Sequence, residues 1–216
     1  MELAGRPTVD KVDFKKTLKH LYLPSKQEFE LVDVPSMQFL MIDGQGDPNT
    51  AASYQRALEA LYAVAYTVKF ASKKELERDF TVPPLEGLWW ALDMEAFTTT
   101  SSKDAWLWTM MIMQPDWIGE PMVAAACKKA ASSRDLPALE DLRLERFDEG
   151  LAVQILHIGP YDAEGPTIAR LHHEYLPREG LVENGKHHEI YLSDPRRVVP
   201  EKWKTVLRQP VRRHED

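Results

Sequence analysis

One cysteine, Cys127, is all the thiol chemistry in this chain of 216 residues. A lone cysteine cannot close an intramolecular disulfide, and it fits a reducing cytoplasm better than an oxidising compartment. Set in an Ala-rich stretch, it reads as a small buried filler and not as a nucleophile. Long apolar runs are missing too. None is long enough to cross a bilayer, and the opening Met1-Glu2-Leu3-Ala4-Gly5-Arg6-Pro7 lacks the apolar core of a signal peptide. Positive charge is in deficit, with 27 Lys plus Arg against 34 Asp plus Glu and a formal charge of −7. Nucleic-acid binding rests on a basic footprint. The one basic cluster, Arg196-Arg197 and Lys202 to Arg213, reads as a solvated C-terminal face. The expectation is a protein with no direct nucleic-acid partner and no membrane span.

Signatures of bound ions are also lacking. Gly44-Gln45-Gly46-Asp47-Pro48 has neither the third glycine nor the lysine of a phosphate cradle, so it reads as a turn. His172-His173-Glu174 and His187-His188-Glu189 are runs of neighbours, and neighbours on a strand point to opposite faces. No metal site is expected.

What the chain does have is alternation and helical periodicity in turn. Residues 1–27 form a polar lead-in with a short amphipathic turn around Phe14, Leu18 and Leu21. Strands are expected over Glu28–Val34 and Met37–Ile42. Tyr54, Leu58, Leu61, Tyr62, Ala65 and Val68 recur at helical spacing and predict a helix over 50–71. The runs 85–92 and 105–113 read as an antiparallel pair around a polar turn at 98–104. Pro121 opens a helix that continues over Met122–Ala131. Arg143–Phe147 and Leu151–Ile158 read as strands joined by a hairpin at Asp148-Glu149-Gly150. A helix over Thr167–Leu176, a strand over His187–Leu192, and a tail with a short helix and a last strand complete the chain.

The order strand, glycine-containing turn, helix, strand thus occurs twice, once over 37–92 and once over 151–192. Each strand after a helix carries a glutamate beside aromatic and aliphatic residues: Leu85-Glu86-Gly87-Leu88-Trp89-Trp90 and His188-Glu189-Ile190-Tyr191-Leu192. Alternation groups Glu189 with Tyr191 and Glu86 with Leu88 and Trp90. If both strands line one cleft, two carboxylates and several aromatic rings converge there, the composition of a ligand site.

These segments carry a resemblance. Phe39-Leu40-Met41-Ile42-Asp43-Gly44-Gln45-Gly46-Asp47-Pro48, Pro83-Pro84-Leu85-Glu86-Gly87-Leu88-Trp89-Trp90, Trp108-Thr109-Met110-Met111-Ile112-Met113-Gln114-Pro115, His157-Ile158-Gly159-Pro160-Tyr161 and Lys186-His187-His188-Glu189-Ile190-Tyr191-Leu192-Ser193-Asp194-Pro195 together resemble the GyrI-like small-molecule-binding proteins, and among them the stand-alone members. The resemblance implies an α+β fold of two fused, pseudo-symmetric strand–helix–strand–strand modules with a ligand cleft between them. One domain would fill the chain, with modules at about 28–118 and 143–211 and a connecting helix within 119–142.

It also implies a pocket-centre glutamate at Glu189. The stand-alone group includes hydrolases of cyclopropanoid DNA-alkylating natural products, and other relatives are drug-responsive regulators or gyrase inhibitors. On this reading Glu189, Tyr191 and Glu86 are the catalytic candidates. Tyr66, Trp89, Trp90, Trp108, Met110, His157 and Tyr161 are the candidate walls of a pocket for a flat, hydrophobic aromatic molecule. Such ring opening needs no cofactor. The alternatives are a non-catalytic drug-binding or sensor protein, and a protein inhibitor acting through its surface. Oligomeric state stays open.

Overall fold

The computed structural model describes residues 10–91 and 103–214. Leu92, residues 98–102 of the expected polar turn and the opening residues 1–7 lie outside them. Eleven strands are described: β1 (Lys11–Val12), β2 (Glu30–Val34), β3 (Met37–Gln45), β4 (Asp79–Phe80), β5 (Leu85–Trp90), β6 (Leu107–Gln114), β7 (Arg143–Phe147), β8 (Gly150–Ile158), β9 (Leu181–Glu183), β10 (His187–Tyr191) and β11 (Lys204–Arg213). The helices are α1 (Phe14–Thr17), α2 (Lys19–Tyr22), α3 (Ala52–Glu75), α4 (Glu120–Ser133), α5 (Gly165–Arg170) and α6 (Leu176–Arg178). A π-helical turn, Leu171–Tyr175, joins the last two. The fold is α+β.

Eight strands form one antiparallel sheet in the order β2-β8-β11-β10-β5-β6-β3-β7, with β9 adding to β11, while β1 and β4 pair separately. The order reads the same outward from the central β10–β5 pairing. β5-β6-β3 run one way and β10-β11-β8 the other, each flanked by an edge strand from the other half of the chain.

Arg143–Phe147 and Leu151–Ile158 do not form the expected hairpin: β7 pairs with β3, and β8 pairs with β2 and β11. A tight hairpin turn of the favoured type needs positive φ at both central residues. Here only Gly150 has it, at 67°. Glu149 is buried and held by His188 and Arg208, which draws the segment across the sheet.

Two short links then fix the shape. Val34 to Met37 and Phe147 to Gly150 each span three Cα steps, about 11 Å at most. Each link joins strands six places apart, which a flat sheet would separate by about 29 Å. The sheet therefore curls until its edges meet.

One face of the curl carries α3 and α4. Ala57, Leu61, Val64, Ala65 and Val68 of α3 pack on Leu40, Ile42, Trp108, Met110 and Ile112. The other face is concave and holds the lead-in. Leu21 and Tyr22 of α2 are buried against Val34, Ala152, Ile190 and Val206, while Phe14 and Leu18 pack toward Phe39, Met111 and Met113. The amphipathic turn of the lead-in thus puts Leu21 and Tyr22 into the core while Lys16, Thr17, Lys19 and His20 stay exposed.

The tail has the expected short helix, Pro200–Lys202, and last strand, but not the expected solvated face. β11 is a central strand buried from Thr205 to Val211, and Arg208 is fully buried on the concave face. No helix among the described residues is long and apolar enough to cross a membrane.

Candidate functional site

Register decides which carboxylates meet. On the β10–β5 ladder Glu189 stands opposite Gly87, and Ile190 stands opposite Glu86. Residues directly opposite share a face, so Glu189 and Tyr191 lie on the helix-covered face with Gly87 and Trp89. Glu86 points to the concave side. The two glutamates do not converge, contrary to the expectation drawn from alternation alone, because a shift of one residue exchanges the faces.

Glu86 belongs to a closed polar network. Tyr22 Oη donates to its Oε1 at 3.0 Å, and His188 Nε2 lies 3.0 Å from its Oε2. His188 Nδ1 is 2.8 Å from Glu149 Oε1, and Arg208 Nη1 donates to Glu149 Oε2 at 3.0 Å. With a carboxylate at each ring nitrogen, His188 is an imidazolium that donates twice. The Glu149 carboxylate leads the interactions that hold His188 up at about 9 against the opposing effect of burial. His188 and Arg208 in turn hold Glu149 down at about 2, again against burial. Two carboxylates and two cations cancel in charge, so the network is structural cement and not an open site.

The other face presents a different arrangement. Trp89 Nε1 donates to Tyr191 Oη at 3.0 Å, and Tyr191 Oη donates to Glu189 Oε2 at 2.8 Å. Burial, then the Glu189 charge, raises Tyr191 far above an ordinary phenol, so it remains a donor. His187 Nε2 stands 3.6 Å from Glu189 Oε1, an ion-pair separation longer than a hydrogen bond.

Aromatic rings wall this carboxylate. Tyr161 packs edge-on to Tyr191 with centroids 5.6 Å apart and lies 4.7 Å from Trp203. Tyr54 of α3 lies 6.2 Å from Trp89 and 5.3 Å from Trp108. Burial lifts Tyr161 to about 12 and raises Tyr54 as well. A second carboxyl, Glu164, sits at the start of α5, 4% exposed. Its Oε1 has no hydrogen-bond partner among the described residues. Desolvation first, then the charge of Glu189, pushes it up to about 9.

Of the expected site residues, Glu189, Tyr191, Trp89 and Tyr161 come together. Trp108 and Met110 form the packed layer behind them: Trp108 covers Gly44, which has no room for a side chain, and Met110 Sδ comes within 3.2 Å of where a Gly87 Cβ would lie. Tyr66 lies on the exposed side of α3, 49% exposed. His157 turns back on its own loop, its Nε2 3.3 Å from the Pro160 carbonyl.

Trp90 faces the concave side, under the Lys186 ammonium at 3.3 Å. There it lines a cavity of about 740 Å³ with Met41, Leu88, Phe147 and Glu149. Of its charged lining, Arg143 bridges Asp43 and Glu145, and Glu149 belongs to the network. Sequence reasoning missed Glu164, Tyr54 and Trp203. Tyr54 was visible only as one position of a helical stripe, and Trp203 stood inside a basic tail. Glu164 precedes Gly165-Pro166 and looks like an ordinary acidic helix start. Among the described residues no group of three or more His, Cys, Asp or Glu could hold a metal ion.

A sheet curled around a polar network, with a carboxylate beside a cluster of aromatic rings on its helix face, agrees with what comparison finds. The GyrI-like small molecule binding domain matches residues 27–212. The chain belongs to this family. An uncharacterized conserved protein from Listeria innocua is 43% identical, with 94% of this chain and 100% of that one covered and a TM-score of 0.84. A hydrolase from the same organism is 43% identical over the same shares, with a TM-score of 0.81. The EcmrR C-terminal domain shares the fold at 12% identity, covering 86% of this chain and 98% of that one with a TM-score of 0.54. A search of curated proteins found no match.

Proposed function

We propose that this GyrI-like protein is a cofactor-independent hydrolase in the cytoplasm. It would open the electrophilic cyclopropane of flat, hydrophobic DNA-alkylating natural products and so detoxify them. The observation that carries the reading is the chain of hydrogen bonds from Trp89 through Tyr191 to Glu189. It holds a carboxylate in one orientation among aromatic rings, and among the described residues its other oxygen, 3.6 Å from His187 Nε2, accepts no hydrogen bond and would aim a water. Likeness to a Listeria innocua hydrolase across nearly the whole chain supports the reaction class.

In the proposed step, water oxygen bonds to the less hindered ring carbon as the adjacent cyclopropane C–C bond breaks. The electron pair passes through the conjugated dienone to its oxygen, which becomes a phenol on protonation. Glu189 takes the proton that water loses. Aromatisation supplies driving force, and general-base assistance is worth roughly 10²–10⁴-fold. Tyr191 and Tyr161 supply rings against which a flat ligand stacks in attack geometry. Glu86, turned to the other face, acts in the fold and not on the substrate.

The test is mass spectrometry of a cyclopropanoid alkylator incubated with substoichiometric protein. Wild type is expected to convert many equivalents to the compound plus one water, and Glu189→Gln to lose about 10²-fold or more of that rate. One equivalent held without turnover would favour the alternative, a drug-binding or sensor protein. An anionic carboxylate ringed by aromatic faces suits a flat hydrophobic cation, and that feature is what the second reading rests on.

A further inference from the structure

We propose that Glu164 is the second functional carboxyl of the Glu189 cleft, present as a carboxylic acid that donates its hydrogen to a neutral ligand oxygen. The substrate class that follows is an uncharged aromatic molecule bearing a conjugated carbonyl. The proposal deepens the hydrolase reading and rests on it for the chemistry, though not for the state of the group.

Geometry carries the argument. Glu164 is 4% exposed, and its Oε1 is sealed from solvent with no partner among the described residues. Its main chain is satisfied: its N–H donates to Tyr161, and its carbonyl accepts from Thr167 and Ile168. Groups from several elements act on its carboxyl through charge or hydrogen bonding. Glu189 and Tyr191 come from β10, and Thr205 from β11. Asp162 and Tyr161 belong to its own turn, and Lys103 precedes β6. The cation among these groups is Lys103, and it is drawn to Asp162 at 3.8 Å.

A hydrogen bond from Thr205 favours the ionised form of Glu164, but burial first and then the negative charge of Glu189 outweigh it and favour the acid. A protonated carboxyl has neither problem. Its Oε1 has no partner among the described residues, and a ligand oxygen there would accept its hydrogen. The two glutamates therefore divide the work by environment: one accepts from a phenol and is the base of the proposed step, the other is buried and is its acid. In the ring opening, the Glu164 proton passes to the dienone oxygen while Glu189 takes one from water. Solvent exchange afterwards restores both, and the net change is addition of one water.

The experiment uses the full chain labelled at the glutamate carboxyl carbon, titrated by NMR from mildly acidic to alkaline pH. One buried carboxyl is expected to stay protonated at neutral pH, to be missing in Glu164→Gln and to remain in Glu189→Gln. Absence of such a signal, or its loss with Glu189→Gln alone, overturns the proposal. Binding gives an independent arm. Fluorenone, a neutral aromatic ketone, should bind about tenfold more weakly to Glu164→Ala and nearly normally to Glu164→Gln. Ethidium, a flat cation, should be indifferent to Glu164→Gln at neutral pH and weakened by Glu189→Gln. Equal weakening of ethidium by both glutamine variants would show two carboxylates and sink the idea. None of these readouts needs turnover. A protonated Glu164 in a protein that hydrolyses nothing would reject the hydrolase and keep this assignment.

Discussion

Gly87 lies directly across the ladder from Glu189, and its missing side chain is what lets the relay form. A Cβ there would stand 2.8 Å from Trp89 Nε1 and 3.2 Å from Tyr191 Oη. Gly87→Ala is therefore expected to push the indole off the phenol. Turnover should fall about ten- to a hundredfold from lost alignment, with circular dichroism unchanged and the melting temperature lower by a few degrees. Unaltered kinetics in a correctly folded variant would show that the relay does not orient Glu189. At this scale the sequence is most readable where a polar residue interrupts an apolar alternation. Glu189 and Tyr191 are found that way, two positions apart on one strand. Alternation also groups Glu86 with Leu88 and Trp90, as the structure does. Facing Glu86 toward Glu189, however, needs the register between two strands 100 residues apart in the chain, which no local pattern contains. Glu164 stayed hidden because only its burial distinguishes it from a routine acidic residue at a helix start.

The strands of the concave face make a prediction about pH. Glu149 is depressed in the fold, so its contribution to stability is present above the unfolded 4.5 and is lost as pH falls toward about 2. His188 is raised, so its contribution is complete below 6.5 and is lost as pH rises through about 9. Glu164 is raised by burial, so its ionisation in the unfolded chain weakens the fold from 4.5 up to about 9. Linkage then puts maximal stability near pH 4.5, with a fall on the alkaline side that steepens above 6.5. Melting temperatures measured from pH 3 to 10 should peak there, and Glu164→Gln should flatten the alkaline fall while sparing the acid one. A flat profile up to pH 9 in the wild type would contradict both raised groups. Element reading explains why this network was not foreseen. The strands themselves follow from period-two and period-3.6 patterns, and the 85–92 and 105–113 runs do pair as β5 and β6. The Asp148-Glu149-Gly150 link has hairpin composition, yet a buried glutamate seeking two cations on other strands overrides the local turn preference.

Closure of the whole sheet depends on a segment that its family match leaves out. The match begins at residue 27, but Leu21 and Tyr22 are 0% and 1% exposed inside the curl. Their placement follows from the two short links: once the edges of the sheet meet, the concave face needs filling, and α1 and α2 fill it. Tyr22 also gives Glu86 its phenol donor, and the Leu21 carbonyl accepts from Arg208 Nη2 at 2.7 Å. Burying one large side chain contributes about 1.5–3 kcal/mol. Leaving a buried charged group without its partner costs about 3–5 kcal/mol. Together these approach the entire net stability of an ordinary domain, about 5–15 kcal/mol. A chain beginning at residue 27 should thus lose its cooperative melting transition, bind a hydrophobic dye and show collapsed amide dispersion in NMR spectra. Tyr22→Phe in the full chain separates packing from polarity, since it keeps the ring and removes only the donor to Glu86. It should still fold, with a melting temperature several degrees lower. Should the shortened chain melt at the wild-type temperature and bind ethidium equally well, the curl would be held by the sheet alone, and the lead-in would be an accessory to a fold already complete.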